Sequence, residues 1–216
     1  MRIFLDTAIV EEVRQASKLG VISGVTTNPT LMARAGSTDY EATIKEIASI
    51  IPGPISTEVV VEGVEPMLKQ AREMAVWAPN IVIKIPVNAE GLEVTSILAK
   101  ENIKVNMTLC FSANQALLAA LSGAAYISPF IGRLDDIGQD GMQLVEEILD
   151  IYDNYPDINT EVIAASIRHP EHCLRAASAG AHIATIPYDV LKKMIQHPMT
   201  DAGISRFLDD WKNTDK

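Results

Sequence analysis

The chain has 216 residues and 48% apolar content, the size and composition of one globular domain with a large core. Its formal charge of -10 argues against a nucleic-acid partner, because phosphate backbones are held by clustered lysines and arginines. A small phosphorylated substrate, which needs only two or three local donors, stays open.

The stretch Met1-Arg2-Ile3-Phe4-Leu5-Asp6 enters a strand at once and leaves no room for a signal peptide. No apolar run reaches the ~18–20 residues of a membrane span. Together these predict a cytoplasmic protein. Short apolar strands then alternate with longer helical patterns. Strands are expected at 3–5, 24–26, 55–60, 81–87, 104–107, 126–128, 161–164 and 182–186. Helices are expected at 8–19, 39–51, 64–77, 90–101, 113–122, 140–154, 171–179 and 188–196. Ser112 followed by Gln115 reads as a capping box. Pro170 suits the first turn of a helix. Gly20, Gly123 and Gly180 stand just past helix ends, where a left-handed cap favours glycine. Cys110 and Cys173, in apolar or helical contexts, are expected as buried residues of a reducing compartment, with no disulfide or metal role.

Eight β-then-α units predict a compact (β/α)8 TIM barrel, with a doubly wound open sheet as the rival. No Gly-x-Gly-x-x-Gly follows the first strand, which removes the dinucleotide version of that rival. Residues 1–199 would form the barrel. Residues 200–216 would add a C-terminal helix whose apolar stripe, Ile204, Phe207, Leu208 and Trp211, has nothing left to cover once the barrel closes. It would pack under the barrel or on a neighbouring subunit.

The strand Ile81-Val82-Ile83-Lys84-Ile85-Pro86-Val87 holds one lysine among β-branched residues, a pattern of burial on both faces. Pro86 lacks a ladder N–H and should end the strand, which puts Lys84 near its C-terminal tip. Burial disfavours the charged form of a lysine and favours nucleophilic chemistry on carbonyl groups. The alternative is an edge lysine that snorkels to water.

Barrel chemistry sits at the C-terminal strand ends. Strand one ends in Asp6, strand two runs into Thr26-Thr27-Asn28-Pro29, and strand three carries Glu58. Strand four carries Lys84, and strand five ends near Asn106 and Thr108. Strand six ends in Ser128-Pro129-Phe130, then Arg133, and strand seven in Ser166, then Arg168. Strand eight offers no polar tip residue that could be identified. Singly, each has a structural reading: Asp6 or Thr108 as a helix cap, Glu58 in a surface ion pair, Asn28 in a turn, the arginines as solvated loop charges. Jointly, two carboxylates, a buried lysine and two arginines at one mouth suit Schiff-base chemistry on a phosphorylated ketone.

The stretches Leu5-Asp6-Thr7, Gly24-Val25-Thr26-Thr27-Asn28-Pro29, Val82-Ile83-Lys84-Ile85-Pro86-Val87, Asn106-Met107-Thr108-Leu109-Cys110-Phe111-Ser112 and Ser128-Pro129-Phe130-Ile131-Gly132-Arg133 resemble the small transaldolases, a group that includes the fructose-6-phosphate aldolases. The resemblance covers essentially the whole chain. It implies that Lys84 forms the Schiff base, that Asp6 is the acid/base at the C4 hydroxyl, and that Glu58, Thr108 and a water handle proton transfers in imine formation. It implies that Asn28 and Asn106 hold the dihydroxyacetone unit. Arg133, Ser166 and Arg168 would bind phosphate, with Ser128 and Phe130 lining the substrate site. Ile167 departs from the family, where an aromatic residue is common between the serine and the arginine. The resemblance implies no metal or organic cofactor, sugar-phosphate substrates, and homo-oligomeric rings of five that pair into decamers, with the terminal helix reaching a neighbour. The aldolases of the group carry tyrosine where Phe130 stands and glutamine where Glu58 stands, which favours transaldolase over aldolase here. A barrel that binds sugar phosphates without catalysis is a third reading, disfavoured by Lys84, Asp6 and Glu58 occurring together.

Overall fold

The computed structural model describes residues 1–214. Eight parallel strands close into a barrel in sequence order: β1 (Arg2–Asp6), β2 (Ile22–Thr26), β3 (Ile55–Glu58), β4 (Ile81–Pro86), β5 (Val105–Cys110), β6 (Tyr126–Pro129), β7 (Glu161–Ala164) and β8 (Ile183–Ile186). The open sheet is thereby excluded, because β1 pairs with β8 as well as with β2.

The barrel interior grades from apolar to polar, and that gradient positions the site. Side chains alternate between the inside and the helix layer with a period of two. Toward the N-terminal end, Phe4, Val82, Tyr126, Ile163 and Ile183 form a small cluster apart from the main core. Gly24 on β2 leaves the room that the Phe4 ring fills, since a Cβ there would lie 2.5 Å from it. Two residues along each strand the inward positions become Asp6, Thr26, Lys84, Ser128 and Thr185. The opposite faces, including Leu5, Ile83, Ile85, Met107 and Ile127, join the helices in one large apolar core.

The helices are α1 (Val10–Ser17), α2 (Pro29–Arg34), α3 (Tyr40–Ile50), α4 (Val64–Ala75), α5 (Ala89–Lys100), α6 (Ala113–Leu121), α7 (Ile131–Asp135), α8 (Gly141–Asp153), α9 (Pro170–Ser178), α10 (Tyr188–Ile195) and α11 (Pro198–Thr214). The anticipated stops hold: Gly20, Gly123 and Gly180 have φ of 69°, 89° and 86°, and Pro170 opens α9. Ser112 Oγ accepts from Gln115 N at 3.2 Å, but Gln115 Oε1 reaches past the cap to Phe111 N at 2.8 Å. The capping box is therefore displaced by one residue on its return arm.

Three expectations are corrected. β3 stops at Glu58, not at residue 60; Val60 turns outward and its N–H is taken by Gln70 Oε1 at 2.8 Å. β5 runs on to Cys110, through a left-handed Leu109 at φ 57°. α2 and α7 fall in segments expected as loops. Both cysteines are free and buried, as expected. The terminal helix starts at Pro198, and none of its residues is buried; Phe207 and Trp211 are 74% and 69% exposed. Its stripe does not pack under its own barrel.

Candidate active site

A cavity of about 470 Å³ opens at the C-terminal end of the barrel. Asp6, Asn28, Glu58, Lys84, Ser128, Phe130, Arg133, Ser166 and Arg168 all border it. Nine of the eleven anticipated residues thus meet in one place. The other two, Asn106 and Thr108, are fully buried and do not line it.

Parallel register explains the central contact. Glu58 on β3 pairs with Lys84 on β4, which pairs with Asn106 on β5, so three inward residues stand at one level on neighbouring strands. Lys84 is 4% exposed. Its Nζ donates to Glu58 Oε2 at 2.9 Å and to Thr27 O at 3.2 Å, and lies 6.0 Å from the centre of the Phe130 ring. The snorkelling alternative is thereby excluded. Glu58 is anchored from behind by Tyr40 of α3. The Tyr40 hydroxyl accepts from Glu58 N at 3.0 Å and from Thr57 Oγ1 at 2.6 Å.

Asp6 is no helix cap. Its Oδ1 accepts from Thr26 Oγ1 at 2.7 Å, and Thr26 Oγ1 lies 2.6 Å from Thr185 Oγ1. A hydroxyl has one proton, and that of Thr26 goes to the carboxylate, so Thr185 donates to Thr26. Asp6 keeps some exposure to the cavity, yet its carboxyl sits deep among protein atoms. Burial pushes that carboxyl above the usual range, opposed by the Lys84 charge and the Thr26 hydrogen bond.

Asn106 stands outside the cavity lining and ties three strands together. Its Oδ1 accepts from Ser128 Oγ at 2.7 Å and its Nδ2 donates to Ser56 Oγ at 3.1 Å. Thr108 Oγ1 is the one buried side-chain oxygen or nitrogen without a hydrogen-bond partner among the described residues. Asn28 both borders the cavity and caps α2, its Oδ1 accepting from Leu31 N at 2.9 Å. Asn28 is therefore a helix cap at the cavity edge, not a turn residue.

The second half of the mouth is cationic. Arg133, on α7, packs its guanidinium 5.2 Å from the Phe130 ring centre. Arg168 follows Ser166, which is held in the left-handed region at φ 57°, and its Nη2 donates to Asp136 at 2.8 Å. Gly132 makes the junction possible. Its N–H donates to Ser166 O at 3.0 Å, and a Cβ at this position would lie 2.2 Å from that oxygen. Thr26, Arg34, Leu109, Ile167, Thr185 and Pro187 are among the other residues that border the cavity. Thr185 corrects the expectation that strand eight adds nothing.

A buried lysine ion-paired to one carboxylate, with a second carboxylate across a barrel mouth and two arginines beside it, defines a barrel equipped for amine chemistry on an anionic carbonyl compound. Comparison with known proteins narrows the class. Residues 3–216 match the family described as transaldolase/fructose-6-phosphate aldolase. A probable transaldolase of Dehalococcoides mccartyi is 59% identical over 100% of both chains. One from Thermoanaerobacter is 59% identical over 98% of this chain and 97% of its own. One from the archaeon Methanococcus maripaludis is 55% identical over 98% of each. The chain belongs to the transaldolase/fructose-6-phosphate aldolase family.

Proposed function

We propose that this protein is a transaldolase acting through a Lys84 Schiff base. It moves a dihydroxyacetone unit from fructose 6-phosphate or sedoheptulose 7-phosphate to erythrose 4-phosphate or glyceraldehyde 3-phosphate, as in the cytoplasmic pentose phosphate pathway. The observation that carries this reading is the buried Lys84–Glu58 pair at 2.9 Å facing Asp6 across one cavity. Among the described residues no helix is long and apolar enough to cross a membrane.

Each group has a task that its surroundings support. Lys84 Nζ gives a proton to Glu58 and attacks the ketose C2 carbonyl. The carbinolamine hydroxyl then leaves as water on taking that proton back, which forms the iminium. The unpartnered Thr108 hydroxyl suits a water that links it to Glu58. Asp6 takes the C4 hydroxyl proton, the C3–C4 bond breaks, and its electrons pass to the iminium as an enamine. The aldose leaves. An acceptor aldehyde reverses these steps, with Asp6 returning the proton to the new hydroxyl. A carboxyl pushed upward by burial suits a group that must hold a proton between half-reactions. Phe130 brings no hydroxyl to the cavity, which favours waiting for an acceptor over protonating the enamine to free dihydroxyacetone.

Borohydride reduction with fructose 6-phosphate tests the reading. Mass spectrometry should find a three-carbon adduct on Lys84. Labelling of another lysine would end the proposal, and steady release of free dihydroxyacetone would make the protein an aldolase.

Arg133, Ser166 and Arg168 would bind the donor's phosphate, a reading supported by their shared border on the cavity. Arg133→Ala and Arg168→Ala should each raise KM for fructose 6-phosphate roughly 10- to 100-fold, since a charge-assisted hydrogen bond is worth about 1.5–3 kcal/mol. Turnover of free dihydroxyacetone should change little. Equal losses on both donors would make these arginines structural.

The resemblance implies a homo-oligomer, a ring of five or a decamer, and the exposed stripe of α11 supports such an assembly by leaving the helix free to cover a neighbour. Large exposed aromatics of this kind usually mark an interface. Removing residues 198–216 should shrink the particle by size-exclusion chromatography with light scattering and lower its Tm. A truncated chain of unchanged size would refute this assembly.

A further inference from the structure

Behind the two arginines lies a histidine that the catalytic cycle does not use. His172, in the first turn of α9, is 5% exposed. Its Nδ1 accepts from the backbone N–H of Arg168 at 3.3 Å. Its Nε2 lies 2.9 Å from Asp135 Oδ2. A backbone N–H can only donate and a carboxylate can only accept, so the ring is neutral with its proton on Nε2. The other oxygen of Asp135 accepts from Gly141 N at 2.9 Å, which fixes the carboxylate.

This bridge spans both halves of the cationic mouth. Asp135 shares α7 with Arg133, while the Arg168 backbone follows the left-handed Ser166. Gly132 presses α7 against that same loop. The Arg168 side chain is held to Asp136, also beside α7, so its backbone needs a separate tether if the guanidinium is to stay aimed at the cavity. We propose that neutral His172 is a positioning residue that locks the spacing of Arg133 and Arg168, and so sets the preference for phosphorylated donors. The inference rests on reading those arginines as the phosphate subsite.

Acid should open the lock, because a proton on Nδ1 would face the Arg168 N–H donor to donor. The groups bearing on the ring from its neighbours are His169 in the preceding loop, Asp135 on α7 and Arg175 on α9. His169 lies against it with ring centres 3.8 Å apart and the ring planes tilted by 42°, and Arg175 is itself held by Asp140. Burial first, then His169, keeps His172 below the usual imidazole range, against the pull of Asp135. The lock therefore persists to lower pH than an ordinary histidine would allow.

The test measures the donor concentration giving half-maximal borohydride trapping, for fructose 6-phosphate and for fructose. H172F should raise it about tenfold for fructose 6-phosphate and leave fructose unchanged. H172N places an oxygen acceptor near the Nδ1 position and should stay within about twofold of the parent, whereas H172Q should behave like H172F. Should H172F fail to fold, the contrast between asparagine and glutamine, alike in polarity, carries the test. On lowering the pH, the parent should lose phosphate preference more steeply than H172N, the titration of the sugar phosphate being common to both. A parent that takes both donors equally well would remove the phosphate reading itself. A strong parental preference that H172F leaves intact, or that Asn and Gln reduce equally, would overturn the role of His172 alone.

Discussion

Lys84→Met should abolish borohydride trapping and lower kcat/KM by roughly four orders of magnitude or more, the scale of losing a covalent nucleophile. The same change should cost stability, because Glu58 would keep its charge and lose its partner. Breaking a fully buried pair costs about 3–5 kcal/mol. Here the Glu58 side chain retains 12% exposure at the cavity, so about 2 kcal/mol is expected, or a Tm drop of roughly 4–8 °C at this chain length. The double variant Lys84→Met/Glu58→Gln should recover most of that Tm and none of the activity. Calorimetry and a coupled assay together decide it. A single variant retaining a hundredth of parental turnover would remove Lys84 from the chemistry, and a double variant no more stable than the single one would show that the ion pair is not what Lys84→Met disturbs.

Asp6→Asn should slow carbon–carbon cleavage by about 10²- to 10⁴-fold, the usual weight of a general base. Trapping of added free dihydroxyacetone on Lys84 should persist, since imine formation is proposed to use Glu58 and not Asp6. The stability effect has the opposite sign to that of Lys84→Met. Burial raises the Asp6 carboxyl above its ordinary value, so its favourable contribution is complete below that ordinary value, near pH 3.8. The contribution is lost as pH climbs through the raised value, where the folded state must carry a buried anion. Asparagine carries no charge and still accepts from Thr26. The variant should therefore melt higher than the parent at neutral pH, with the gain fading toward pH 4. A variant that melted lower at pH 7 would mean that the attraction to Lys84 outweighs burial.

Strand periodicity made the barrel legible, because short, largely apolar strands alternate with longer helical patterns along the chain. The site was legible for the same reason: Asp6, Glu58 and Lys84 are charges inside apolar strands, where charge is anomalous. Thr185 escaped notice because a threonine between Ala184 and Ile186 looks like core, and nothing local reveals its bond to Thr26, 159 positions earlier in the chain. Tyr40 escaped because its partner Glu58 lies on another element. α2 and α7, of six and five residues, are too short for a helical period to register. His172 stands in an unremarkable helix start, and only the fold brings Asp135 to it. The stripe of α11 was visible from spacing, while its freedom from its own barrel required coordinates.

Closure of the barrel by β1 and β8 has a consequence for synthesis. β1, which holds Asp6, is made long before β8, and it cannot gain its second neighbour until residues 183–186 exist. The relay from Thr185 to Thr26 to Asp6 likewise waits for the last strand. At about 5–20 residues per second, β1 is carried for roughly 10–40 s as one edge of an open sheet. Its other edge passes in turn to each newly made strand, including the nearly all-apolar β4. An unpaired apolar edge invites association with another chain, so the growing protein is most exposed to aggregation while β1 is already translated and β8 is not.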